Sequence, residues 1–356
     1  MWIAILVALV AVLAIVMLKV AGGRRTAPVP VIVPTSDPVA TQVIRATVPF
    51  STIETDAVFT QCYRLAFNVA DLAPPADDEH AELLDAVNKS LDESVYERDY
   101  FPRRPMLLPK LLQTLNDSES TRDQLVRVLM EDPSLAGAVL QRANSAYYRT
   151  SPEPIESLDR AVFLLGTDGL RSLAAAAILQ PVFRIPRGSF DRFPEFTWEQ
   201  AERSAIAAEV NARSVGDPEP IVARLLGSLS LLANIVLFRL TMDKYRDFPA
   251  LQPRADVIVE AIRTQRSCVA SLIAQAWKMS DLSIVAFTEQ QQRMSPTHMS
   301  TLGRAVYFGD LTGALGMLTP RGHYSKTTAL EMLANQGTEV DTARAMWLAA
   351  ASIPQS

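Results

Sequence analysis

The chain has 356 residues, of which 49% are apolar and 21% charged, and its net charge is −5. That length suits one large domain or two modest ones, and the acidic balance excludes the overall basic character of a nucleic-acid-binding chain. With only 14 glycines and a composition led by Ala and Leu, helices are favoured over a β-sandwich. The two cysteines, Cys62 and Cys268, have no CxxC neighbour, so their spacing supports neither a disulfide framework nor a zinc cluster. A reducing compartment follows, and each reads as a small buried apolar side chain.

From Trp2 to Leu18 there is no charged side chain. Taken as residues 1–21, the segment spans roughly 30 Å as a helix, the thickness of a bilayer core. Lys19 is placed to snorkel and Trp2 to sit at the opposite interface. A cleaved signal peptide would carry positive charge before the apolar run; here Lys19, Arg24 and Arg25 follow it. The expectation is a single-pass anchor with the bulk of the chain in the cytoplasm; a periplasmic placement is the alternative. Residues 22–50 hold Pro28, Pro30, Pro34 and Pro38, and are expected to form an extended linker of about 3.1 Å per residue.

Helical patterns begin at Ser51, which stands at capping-box distance from Glu54. Val58, Cys62, Leu65 and Val69 then recur at helical intervals until Pro74-Pro75. Asp77 or Asp78 caps a second helix with Leu83, Leu84, Val87 and Leu91 on one face. These two predict a small helical subdomain over 51–100. From Phe101 helix follows helix. Thr121, Asp132-Pro133 and Ser157 are predicted caps, the proline falling at the first helical position where its missing N–H costs nothing. Gly166 is a predicted left-handed stop, and Leu135 and Leu165 are expected in the core. Further helices fit 197–214, 220–242, 253–278 and 281–293. Beyond residue 300 the pattern predicts helical fragments and a C-terminal hairpin over 301–356, its last helix capped by Thr338.

Three stretches carry a resemblance: PMLLPKLLQTLND, LVRVLMEDPSLAGAVLQRANSAYY and PIESLDRAVFLLGTDGLRSL, in that order between residues 105 and 173. They resemble the HDOD domain, the HD-related output domain of bacterial signalling proteins. The matching positions include Asp132, Pro133, Leu135, Asn144, Ser145, Ala146, Tyr147, Ile155, Ser157, Gly166, Leu170 and Arg171. The resemblance implies an all-α, multi-helix fold over about 101–300, akin to the HD phosphohydrolases. It also implies a place in bacterial signalling, with the anchor in the inner membrane.

HD phosphohydrolases hold metal with histidines and an adjacent His-Asp pair, and that chemistry needs imidazole and carboxylate groups converging on one point. This chain has three histidines, His80, His298 and His323, none followed by Asp. In LLGSLSLLANIVLF the register puts Ser230 and Leu231 where His and Asp would stand. In QRSCVASLIAQAWKMS, Arg266 lies near a position that often carries histidine, and Trp277 fits the family tryptophan. In AFTEQQQ, Glu289 and Gln290 replace histidines. The resemblance therefore implies a non-catalytic protein without metal or cofactor, acting as a regulatory scaffold through unknown protein partners. The alternative is a nucleotide sensor whose vestigial cavity is lined by Ser230, Asn234, Arg266 and Glu289.

Overall fold

The computed structural model describes residues 52–72, 78–92, 105, 107–117, 119–145, 153–179, 190–217 and 219–353. The expected anchor with Trp2, Leu18 and Lys19, the linker, and the caps at Ser51 and Asp77 lie outside these residues. Among the described residues the regular structure is entirely helical, with thirteen α-helices and three short 3₁₀ turns.

The first two, α1 (Thr52–Phe67) and α2 (Asp78–Asp92), are followed by four that carry the family-like motifs. These are α3 (Leu108–Asn116), α4 (Arg122–Met130), α5 (Pro133–Ala143) and α6 (Leu158–Leu179). Their starts follow the sequence. Thr121 and Gln124 form a capping box, each side chain accepting the other's backbone N–H. Asp132 Oδ1 accepts from the Leu135 N–H at 3.2 Å, and Ser157 Oγ accepts from the Arg160 N–H at 3.1 Å. Gly166 interrupts α6 with φ 74° and ψ 174°. The positive φ that favours glycine is there, but with ψ far from the left-handed helical value, so the chain kinks and helix resumes beyond it. That kink leaves Leu165 only half-buried, against the expectation of a core position, whereas Leu135 and Leu170 are buried.

Next come α7 (Arg192–Ser214), α8 (Pro220–Lys244), α9 (Ala255–Ala276) and α10 (Asp281–Gln291). The chain ends with α11 (Thr301–Leu318), α12 (Lys326–Asn335) and α13 (Val340–Ala351). Every side chain from Ile221 to Phe238 in α8 is buried, as expected of a helix apolar on all sides and enclosed by others. By length and composition α8 could cross a membrane, but its most apolar stretch is wholly buried within the helical body. It packs against α7, α9, α11, α2, α3 and α6.

The expected C-terminal hairpin begins instead with α11, whose side chains are almost all buried and which packs chiefly on α7. Glycines allow this. A Cβ on Gly309 would lie 2.7 Å from the Ser204 carbonyl oxygen, and one on Gly313 2.9 Å from the Ser204 nitrogen. The α7 backbone occupies the space a side chain would need. Only α12 and α13 form the hairpin proper, and the N-cap of α13 is Glu339, without a side-chain bond, rather than Thr338. The N-terminal helices pack onto the same body: α1 lies on α11 and α7, and α2 on α8 and α9. All described residues fall in one compact unit, Arg45–Ser356.

Candidate functional site

Ser230 lies on α8 with its neighbour Leu231 fully buried. Its Oγ donates to Asp310 Oδ2 at 2.7 Å. Arg266, from α9, forms an ion pair with the same oxygen at 3.1 Å. The Arg266 guanidinium also stands 5.5 Å from the centre of the Phe59 ring of α1, and the Tyr63 phenol, one turn further on, lies close enough to favour its charge. Three helices of the main body and α1 thus meet at one buried carboxylate.

Its electrostatics follow from burial. Asp310 is 2% exposed; burial pushes its carboxyl above the usual carboxylate range, while Arg266 and the Ser230 hydroxyl pull it back. Burial likewise pushes the Tyr63 phenol up. For Arg266 burial works against the charge, but Asp310 and Tyr63 together outweigh it, so the guanidinium stays charged. Asp310 Oδ1 is buried and accepts no hydrogen bond from the described residues.

A cavity of about 1220 Å³ opens beside this network, lined by residues of α1, α9 and α11, by Gln290 of α10, and by segments 293–299 and 335–337. Four arginines line it, Arg64, Arg263, Arg266 and Arg293, with three acids, Asp56, Glu260 and Asp310. The aromatic walls are Phe59, Tyr63, Tyr307 and Tyr324. Tyr307 donates to Gln336 Oε1 at 2.9 Å, and burial pushes its phenol up to about 12.

Of the four residues that the sequence assigns to a cavity, Arg266 lines it and Ser230 stands one hydrogen bond behind it. Asn234 and Glu289 are not among the lining residues. Asn234 is buried within α8. Glu289 is buried rather than on an exposed face, and its role is architectural. Its carboxylate accepts from the Ser300 N–H and Oγ–H, both at 2.9 Å, and Ser300 Oγ in turn accepts from the Gly303 N–H at 3.0 Å. Glu289 thereby anchors the start of α11. Asp310 escaped sequence reasoning, although it left a signal: it is the one acidic residue between Leu302 and Leu318, in a mostly apolar, glycine-rich run.

The motif residues are structural. Asp132 caps α5, and Pro133 is that helix's first residue. Asn144 clamps the chain returning toward α6: its Oδ1 accepts from the Ile155 N–H at 2.7 Å and its Nδ2 donates to the Ile155 carbonyl at 2.8 Å. Ser145 donates its backbone N–H to the Arg142 carbonyl at 2.9 Å, and Gly166 makes the kink. Arg171 reaches back to the Asp117 carbonyl at 2.6 Å, tying α6 to the end of α3.

Among the described residues no group of three His, Cys, Asp or Glu side chains converges as metal ligands would. The donor set around Asp310 is one carboxylate, a hydroxyl, a phenol and a guanidinium. It does not fit a divalent ion, because the fixed positive charge of arginine repels one and a single carboxylate does not compensate.

The sequence profile of the HDOD domain matches residues 101–293. No curated protein matches the chain. Among solved structures, a protein of Shewanella amazonensis SB2B named as a putative phosphohydrolase is similar with a TM-score of 0.51. It is 20% identical, over 75% of this chain and 96% of that one. A second protein of the same organism, named as a putative metal-dependent phosphohydrolase, has a TM-score of 0.50 at 14% identity. That match covers 77% of this chain and all of the other. At these identities the likeness is one of fold.

Proposed function

The chain belongs to the HDOD domain family, and from that premise we propose that it is a non-catalytic regulatory protein of bacterial signal transduction. In this reading it is tethered to the inner membrane through residues 1–21, with its bulk in the cytoplasm, and acts on protein partners. The observation that carries the non-catalytic part is the Ser230–Asp310–Arg266 network. A guanidinium sits beside the carboxylate where a metal-dependent hydrolase would need imidazoles, and nothing there would lower the pKa of a water.

The full-length chain in detergent should hydrolyse neither phosphomonoesters, phosphodiesters nor cyclic dinucleotides, with or without added Mn²⁺, Mg²⁺ or Fe²⁺. Turnover that disappears on chelation and in Asp310→Ala would overturn the reading. The tether rests on the charge-free run Trp2–Leu18 and the positive charges after it. A cytoplasm-active reporter fused to the C-terminus should therefore work and a periplasm-active one stay silent; the reverse pattern would sink the placement. A second reading, ligand sensing, is favoured by the cavity beside Arg266, since a binding site needs none of the missing chemistry.

A further inference from the structure

We propose that this cavity binds a mononucleotide-sized organic phosphate, with the phosphate held between Arg64 and Arg263 and the ring against the tyrosine wall, and that the bound ligand fastens α1 to α9. The proposal deepens the ligand-sensing reading and rests on it.

The charges come first. Arg263 donates to Thr60 Oγ1 at 2.5 Å. Arg64, one helical turn beyond Thr60 on α1, donates to the Gln61 side-chain oxygen at 3.4 Å and to the Ala70 carbonyl. Among the described residues both guanidiniums thus meet only neutral acceptors, while the third, Arg266, is paired with Asp310. Two forks from different helices line the same cavity, and among the described residues neither is paired with a carboxylate. Arginine forks match phosphate bidentately, and a phosphate dianion has enough oxygens for two forks where a carboxylate serves one. Asp56 and Glu260 also line the cavity and set a limit on how much negative charge it accepts, which favours a monophosphate over longer chains.

Size and walls come second. The cavity, about 1220 Å³, exceeds the roughly 300–1,000 Å³ typical of small-molecule sites, so inorganic phosphate alone would leave most of it empty. Tyr307 and Tyr324 are partly buried and line it. The Tyr307 hydroxyl is held by Gln336, which fixes its ring as a surface for a planar group.

The coupling follows from the chain order. The match to the HDOD domain starts at residue 101, yet α1, at Thr52–Phe67, supplies Phe59, Thr60, Tyr63 and Arg64 to the cavity. A ligand bridging Arg64 and Arg263 adds a tie between α1 and α9 beyond the Arg263–Thr60 bond.

The test uses the full-length chain in detergent, titrated calorimetrically with AMP, GMP, CMP, UMP and inorganic phosphate, each followed for product release. Hydrogen exchange is read over residues 52–67. At least one nucleotide is expected to bind at least about tenfold more tightly than inorganic phosphate, to slow exchange in α1, and to lose about tenfold in affinity in Arg64→Gln and in Arg263→Gln. Both arginines are at least partly exposed, and an unchanged melting curve would show that each variant folds. If a variant does not fold, Tyr324→Ala takes its place, with the same expected loss. Absence of nucleotide binding, binding unchanged by these variants, or equal affinity for inorganic phosphate would each overturn the proposal. Hydrolysis of a bound nucleotide would overturn the non-catalytic reading and leave the site standing; no binding would remove the site and leave the non-catalytic reading intact.

Discussion

Two regions of the body are equally helical but held together by different means. Between Leu108 and Leu179 three of the four helices are short, and the caps and clamps at their ends lie near them in sequence, with Arg171 to Asp117 as a longer tie. The Thr121 cap reaches three residues ahead, and the Asn144 clamp spans eleven. Between Arg192 and Leu318 the helices are mostly long, their interior faces carry charges, and several buried polar groups there also find partners far away. Ser230 and Asp310 are 80 residues apart, and Arg203 bonds the Ala350 carbonyl across 147. The helix ends of the first region are set mainly by local caps and clamps. In the second, buried polar groups must pair across helices, and desolvation makes an unpaired one costly.

The sharpest way to break that contrast is to remove one partner of a buried pair. Glu209 accepts from Arg224 at 2.7 Å and from Arg213 at 2.8 Å, and Arg224 is 4% exposed. Glu209→Ala leaves that guanidinium buried without its carboxylate, and should cost about 3–5 kcal/mol in chemical denaturation. A loss under about 1 kcal/mol would mean that the α7–α8 contact relaxes and lets water in.

Cores in the front region should behave as ordinary apolar packing. Leu170→Ala, at a fully buried position just beyond the kink, is expected to cost roughly 2–5 kcal/mol. Leu165→Ala, on the half-buried side of the same kink, should cost about 1 kcal/mol or less. If the two losses were equal, the Gly166 kink would not be placing Leu165 at the edge of the core. Of similar size to the Leu165 loss is the cap: Thr121→Ala removes one side-chain acceptor and one half of the capping box, for about 1 kcal/mol. Its effect should be confined to α4, visible as faster hydrogen exchange at Gln124.

The same contrast explains what could be read in advance. Thr121, Asp132 and Ser157 announce helix starts because a cap is a relation between residues three apart, and Trp277, matched to the family tryptophan, is buried. The all-helical class was legible for the same reason. Asp310 was not, because a carboxylate in an apolar run gives no hint of which guanidinium will meet it. Glu289 misled in the opposite direction: its register suggested the cavity, whereas the turn after α10 brings Ser300 to it. Helix α11 was legible only as helical fragments beyond residue 300, because its close fit against Ser204 depends on tertiary packing of its glycines. Of the candidate site, Arg266 and Ser230 were legible from register, and the α1 wall was not, since tertiary packing alone brings Phe59 and Tyr63 to α9.

The gentlest test of the comparison is a pH slope. Burial raises the Asp310 carboxyl above its ordinary 3.8, with Arg266 and Ser230 acting against the rise. The folded state therefore holds this proton more tightly than the unfolded chain. Its contribution to stability is fully present below the unfolded value and is lost as pH climbs through the raised one. Asp310→Asn removes the titration while keeping the size of the side chain and an oxygen able to accept from Ser230. The stability of the natural chain minus that of Asp310→Asn should thus fall as pH rises above about 4. Denaturant melts at several pH values at constant ionic strength measure the difference. A difference that instead grows with pH would mean that the ion pair with Arg266 outweighs desolvation, and that the carboxylate is a stabilising member of the network rather than one held in place by its neighbours.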